Sequence, residues 1–158
     1  MDEPFRRKLP TVYNWSLTVQ RDVGFGTVVE AGYVANMCRH LRWVRDFNVV
    51  PAGANFNTAN FDPTTNRAFA KPFLAPYTGY NNVTYGEWAS SSNYHSLQVT
   101  VNRRFARSVQ FGMAWTWSKS MDYNSGEGNT VSSLVPVRIW NYGLSDFDRT
   151  HILKFNWL

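Results

Sequence analysis

The stretch VQFGMAWTWS, residues 109–118, sets Val109, Phe111, Met113, Trp115 and Trp117 at every second position, with Gln, Gly, Ala, Thr and Ser between them. Successive side chains of a β-strand point to opposite faces, so the segment has one broad apolar face and one small, polar face. In a soluble sandwich the apolar face meets a second sheet. In an outer-membrane barrel it meets hydrocarbon, and the polar face lines a wet interior. Periodicity alone leaves both readings open.

Four further segments repeat the pattern. Tyr13, Trp15, Leu17 and Val19 share a face with Arg21 and Val23, opposite Asn14, Ser16, Thr18 and Gln20. Val29, Ala31, Tyr33, Ala35 and Met37 alternate in the second segment, Leu97, Val99, Val101 and Phe105 in the third, and Leu153, Phe155 and Trp157 in the last. These predict strands near 12–22, 27–37, 94–105, 109–118 and 150–158, about the ten residues that a tilted strand needs to cross a bilayer. Asp22-Val23-Gly24-Phe25-Gly26 and Phe105-Ala106-Arg107-Ser108 are short enough to close hairpins. The two hairpins are related: residues 19–33 overlay residues 101–115 without a gap at an offset of 82, with facing parity conserved. A recurring hairpin is the unit of an up-and-down barrel.

The remaining connections, 38–93 and 119–149, are rich in Asn, Gly, Pro, Ser and Tyr. Such long loops are uncommon in compact soluble domains but usual on the outer side of membrane barrels, where they alternate with short inner turns. Arg42 to Val50 and Asn82 to Trp88 are candidate β extensions inside the first loop. Residues 1–10 read as a tail without the apolar core of a signal peptide.

Composition narrows the classes. No apolar run approaches the length of a membrane helix, and a barrel hides its hydrophobicity in alternation. The net charge of +5 comes from arginines clustered at Arg6-Arg7, Arg39/Arg42/Arg45 and Arg103/Arg104/Arg107, at segment ends rather than in one stripe, which argues against nucleic-acid binding. Cys38 is the single cysteine, so no disulfide forms within the chain. His40, His95 and His151 lack a metal-ligand spacing, and no metal or other cofactor is expected. Asp122-Tyr-Asn-Ser-Gly-Glu127 resembles the start of a calcium loop but has Gly126 at a ligand position and no closing Glu, so it reads as a turn. His95 and Ser96 point to opposite faces of a strand, as do Ser118 and Lys119, so neither pair makes an activated nucleophile. Gly24-Phe25-Gly26 is a hairpin turn rather than a phosphate loop, and no enzymatic activity is expected.

Three stretches, YNWSLTVQRDVGFGTVVEAGYV, SNYHSLQVTVNRRFARSVQFGMAWTWSKSMD and GLSDFDRTHILKFNWL, together resemble the barrel of TonB-dependent outer-membrane receptors, the group with a carboxypeptidase-regulatory-like domain ahead of the plug. The resemblance rests on an ordered set: Asn93 to Gln98, the basic Arg103-Arg104, Trp115 to Lys119, and Leu144 to His151. It implies an all-β antiparallel meander forming part of a transmembrane barrel over 11–158, located in the bacterial outer membrane. It also implies energised import of a scarce ligand of unknown identity, through contact with TonB made by N-terminal parts of a longer chain. With neither plug nor coupling segment and only five strands, the 158 residues read as a fragment that ends within a strand.

On this reading Trp15, Leu17, Val29, Tyr33, Leu97, Val99, Phe111, Met113, Trp115, Trp117, Leu153 and Phe155 face lipid. Tyr13, Trp15, Tyr33, Trp115 and Trp117 mark the outer interface, Phe105 and Phe111 the inner one. Arg103 has the same parity but lies beside a turn, where an exposed cation costs only ~0–1 kcal/mol. Asp146, Asp148 and Arg149 are expected to pair structurally at the start of the last strand. The loop aromatics Trp43, Tyr80, Tyr85, Trp88, Trp140 and Tyr142 are candidate ligand contacts, as are Phe47 and Tyr77. The alternative is a soluble β-rich carbohydrate-binding module using the same aromatics.

Overall fold

The computed structural model describes residues 8–106, 109–126 and 130–158, without the side chains of 105 and 106. Arg6, Arg7, Arg107, Ser108 and Glu127, and the side chain of Phe105, therefore lie outside the described residues. In chain order the elements are β1 (Thr11–Gly24), β2 (Thr27–Asp46), the short β3 (Phe61–Asp62) and β4 (Arg67–Ala68), and α1 (Lys71–Leu74). Then come β5 (Thr84–Ala106), β6 (Val109–Asp122), β7 (Thr130–Val131), α2 (Val137–Trp140), β8 (Gly143–Leu144) and β9 (His151–Trp157). One seven-stranded sheet runs β1-β2-β5-β6-β8, with β9 beside β6 and β7 beside β2, while β3 and β4 form a separate ribbon. The sheet is an open antiparallel meander apart from the parallel β2–β7 pair.

Register carries the period-two pattern across the sheet. Leu17 pairs with Tyr33, Tyr33 with Leu97, Leu97 with Trp117, and Trp117 with His151. The next rows run Val19–Ala31–Val99–Trp115–Leu153 and Arg21–Val29–Val101–Met113–Phe155. All twelve residues expected on the apolar face therefore share it. A one-residue slip at any pair would send one strand's apolar set to the other side. This face is bare: Leu17 is 71% and Leu153 65% exposed. A soluble sandwich would need a second sheet here, and among the described residues none is packed on it. The opposite face carries Gln20, Glu30, Thr100, Ala114 and Lys154 in one row.

The β1–β2 turn needs three consecutive left-handed residues, Gly24, Phe25 and Gly26 at φ 86°, 56° and 72°. Glycine adopts this conformation without a steric cost, and the Asp22 side chain accepts the Gly24 N–H at 2.7 Å. At the other end the strands outrun their sequence pattern. β2 continues to Asp46 and β5 begins at Thr84, so the loop expected over 38–93 contracts to 47–83. The reason is a double irregularity: the register skips His40, itself at φ 57°, and then Ala89. Each skip resets the inside/outside alternation, so a period-two reading stops there although hydrogen bonding resumes. The proposed extensions pair over Arg42–Asp46 and Thr84–Trp88. β6 likewise reaches Asp122, four residues beyond its expected end, and 119–149 includes β7, α2 and β8.

The segment SDFDRT, residues 145–150, is a wide bulge between β8 and β9, both paired with β6. Ser145 N–H donates to the Ser120 carbonyl and Ser118 N–H to the Thr150 carbonyl, so the ladder resumes on either side. Between them the Asp148 carboxylate accepts the Ser120 N–H at 2.6 Å, standing in for the missing strand carbonyl. Ser120 and Ser145 hydroxyls meet at 3.0 Å, and Ser118 Oγ donates to the Arg149 carbonyl at 2.8 Å. Asp148 thus acts on the backbone rather than through an ion pair, while Arg149 donates to the neighbouring Asp148 carbonyl. Asp148→Ala is expected to orphan the buried Ser120 N–H at a cost of about 1–3 kcal/mol. Asp148→Asn, which keeps an acceptor oxygen, should cost less. Hydrogen exchange at Ser120 and denaturant titration of the intact barrel read the difference.

Candidate functional site

Three sets of side chains converge where β2 and β5 project beyond the other strands. The first is aromatic. Trp43, expected in a loop, lies in β2 and is only 3% exposed. Its Nε1–H donates to Glu87 Oε1 at 2.7 Å, and Arg45 Nε lies 2.6 Å from the same oxygen. Tyr123 meets Trp43 edge-on at 5.3 Å and Tyr142 at 5.0 Å, and the Arg138 guanidinium lies over Trp43 and Tyr123 at 5.6 and 5.8 Å. Asn93 Nδ2–H donates to the Tyr142 hydroxyl at 2.8 Å. Trp43 is therefore a packing residue of the projecting ribbon rather than a free ligand platform.

The second set extends along β5. Tyr85 and Trp88 are strand residues too. Tyr85 packs edge-on against Phe47 at 5.6 Å, and Arg45 covers the Phe47 ring at 4.9 Å. Trp88 joins Leu41, Arg42, Asn124, Ser125 and Gly126 around a concavity of about 290 Å³. Of the eight candidate ligand aromatics the most open rings are Trp140 on α2, 70% exposed, and Tyr80, 66%; Tyr77, Phe47 and Tyr142 are exposed to a lesser degree. The structure thus joins Trp43 to Tyr142 through Tyr123, and leaves Tyr80 and Trp140 outside that cluster. Tyr123 and Arg138 are not among the residues that the sequence singles out. Carrying the alternation of β6 past Lys119 and Met121 would have reached Tyr123, whereas Arg138 has no sequence signal.

The third set holds the first long loop. Asn48 is fully buried, its Nδ2 donating to the carbonyls of Tyr77, Tyr80 and Asn81 and its Oδ1 accepting the Tyr77 N–H. Asp46 accepts the N–H groups of Asn48 and Val83 and pairs with Lys71 Nζ at 2.7 Å. Partial burial pushes the Asp46 carboxyl up, but the hydrogen bonds from Lys71, Asn48 and Val83, together with the Lys71 charge, outweigh it and hold it below the ordinary aspartate value. Among the described residues no group of three or more His, Cys, Asp and Glu is placed to hold a metal ion, and no helix is long and apolar enough to cross a membrane.

A family model described as "Outer membrane beta barrel domain" matches residues 2–158. The chain belongs to this family. Its location is accordingly the bacterial outer membrane. No curated protein and no solved structure matches it. Membership of this barrel family gives the open, single-sheet meander its context: strands at the edges of the sheet are where a barrel continues, and the projecting ribbon with its loops forms part of one rim.

The loop latch is expected to open under two treatments. Asn48→Ala removes four hydrogen bonds and leaves buried carbonyls unpaired, so residues 47–83 should become cleavable by protease while the strands stay protected. Because the folded Asp46 carboxyl lies below its unfolded value, its contribution is complete above the unfolded value. It is lost as pH falls through the folded value, so cleavage of the wild-type loop should rise only in strong acid.

Proposed function

We propose that this barrel segment belongs to a TonB-dependent receptor, with the apolar face in outer-membrane lipid and the aromatic rim taking part in ligand capture. It is transport-competent only in the full-length chain, through TonB contacts made by N-terminal parts, and it has no enzymatic role. The observation that carries the reading is the pairing of an exposed apolar face, continuous over five strands, with long folded loops at one end and the tight β1–β2 turn at the other. The N-Y-x-S-L-Q, W-T-W-S-K and L-S-D-F-D-R-x-H run supports the narrower assignment, and its last part has a defined task as the bulge that rejoins β9 to β6.

The open rings of Trp140 and Tyr80 favour a ligand with flat faces, and a saccharide fits that chemistry. In cells carrying the intact receptor, deleting its gene and deleting TonB are expected to abolish growth on the same member of a polysaccharide panel. The double variant Trp140→Ala/Tyr80→Ala should lower uptake about tenfold with the amount of folded barrel unchanged. Growth that needs the receptor but not TonB would contradict the assignment.

A further inference from the structure

The apolar face is not uniform. Near the projecting end it holds a concavity of about 500 Å³ lined by Tyr33, His95, Leu97, Trp117, Lys119 and Leu144. Leu97, Leu144 and the Trp117 ring give it apolar walls. His95 and Lys119 are cross-strand partners at its upper margin. The Tyr33 hydroxyl is 2.6 Å from His95 Nδ1, which fixes that ring, and Trp15 meets it edge-on at 6.3 Å. Among the described residues the Lys119 ammonium has neither a hydrogen bond nor an ion pair, although it is exposed.

In the regular rows the apolar face carries basic groups alone, whereas the opposite face carries both signs. Over the regular rows, on the turn side of His40 and Ala89, Arg21, Arg39, His95, Arg103, Lys119 and His151 share the apolar face, and no carboxylate of the described residues lies there. Asp22, Glu30 and Asp122 have the opposite parity, which they share with Lys154. A lone cation above an apolar groove at the membrane boundary suits an amphiphile with a negative head and a hydrocarbon tail.

From this juxtaposition we infer that the groove is a binding site for an anionic lipid bearing a phosphomonoester headgroup, with an acyl chain against Leu97, Leu144 and Trp117 and the phosphate at Lys119 and His95. Lys119 supplies the charge, and the Tyr33-anchored His95 supplies a positioned hydrogen-bonding ring. The site lies on the lipid-facing surface, apart from the ligand-capturing rim, and it rests on the reading that this face is in the membrane.

The test uses the intact barrel, released in mild detergent and given equal amounts of dioleoylphosphatidic acid and dioleoylphosphatidylcholine, with retained lipid counted by native mass spectrometry. Phosphatidic acid should be retained preferentially, and Lys119→Gln should lower that retention about fivefold. Arg21→Gln, which removes a cation from the same face away from the groove, should leave it unchanged. Leu97→Trp, which fills the groove and keeps the charge, should lower retention of both lipids. Equal retention of the two lipids by wild type, or equal effects of Lys119→Gln and Arg21→Gln, would overturn the site. A barrel that is folded by heat-modifiable electrophoretic mobility but shows no selectivity refutes this inference alone. A chain that never inserts refutes the membrane reading as well.

Discussion

Cross-strand phase is the constraint on which the rest of this sheet depends. Every pairing from β1 to β9 in the regular part joins positions of equal parity, so the apolar set of each strand adds to that of its neighbour. Removing one such side chain from water is worth about 1.5–3 kcal/mol, and the gain exists only if something apolar covers the face. Hydrocarbon can cover the whole of it at once, whereas backbone N–H and C=O groups in hydrocarbon must find partners within the sheet. Long, fully laddered strands answer that second demand. From Lys119 to Phe111 the apolar rows cover roughly 26 Å along β6 at ~3.3 Å per residue, which shortens to about 20 Å at a tilt near 40°.

Aromatic and basic residues mark the ends of that band. Trp15, Tyr33, Trp115 and Trp117 gather with His95, His151 and Lys119 toward the projecting end, with Trp115 stacked on His151 at 6.0 Å. Phe111, Phe155 and Trp157 form a contiguous group toward the turns, at ring separations of 6.2 and 5.4 Å. Beyond the upper margin the chain changes character. Polar side chains take over the backbone's hydrogen bonding: Asp148 at the β8–β9 bulge, Asn48 and Asp46 in the first loop, Asn141 across Ser132 and Val137 in the second. These bonds tie the described parts of both loops to the ends of the strands.

The regular part of the sheet was legible in the sequence because nothing interrupts a two-residue repeat between Thr27 and Arg39, or between Ser91 and Arg103. The repeated hairpin and the long outer loops were legible for the same reason. What lay beyond the bulge was legible only in part. The skips at His40 and Ala89 break the two-residue repeat, so Arg42 to Val50 and Asn82 to Trp88 read only as candidate extensions inside a loop, with their join to β2 and β5 not visible in the pattern. Asn48 could not be singled out among many loop asparagines, since its importance comes from four hydrogen bonds to three residues about thirty positions away in sequence. The open rings of Tyr80 and Trp140 match their loop assignment, but no sequence pattern links them to a common ligand.

Accessibility along β6 tests the central claim most directly. Single nitroxide labels at each position from 109 to 121, in the intact barrel reconstituted into phospholipid vesicles, report contact with hydrocarbon through collisions with oxygen and contact with water through a polar nickel complex. The account expects oxygen accessibility to peak at every odd position, highest near Met113 and Trp115, and to fall at every even one. Low accessibility to both reagents at Phe111, Met113 and Trp115 would mean that protein, not lipid, covers this face, and would contradict it.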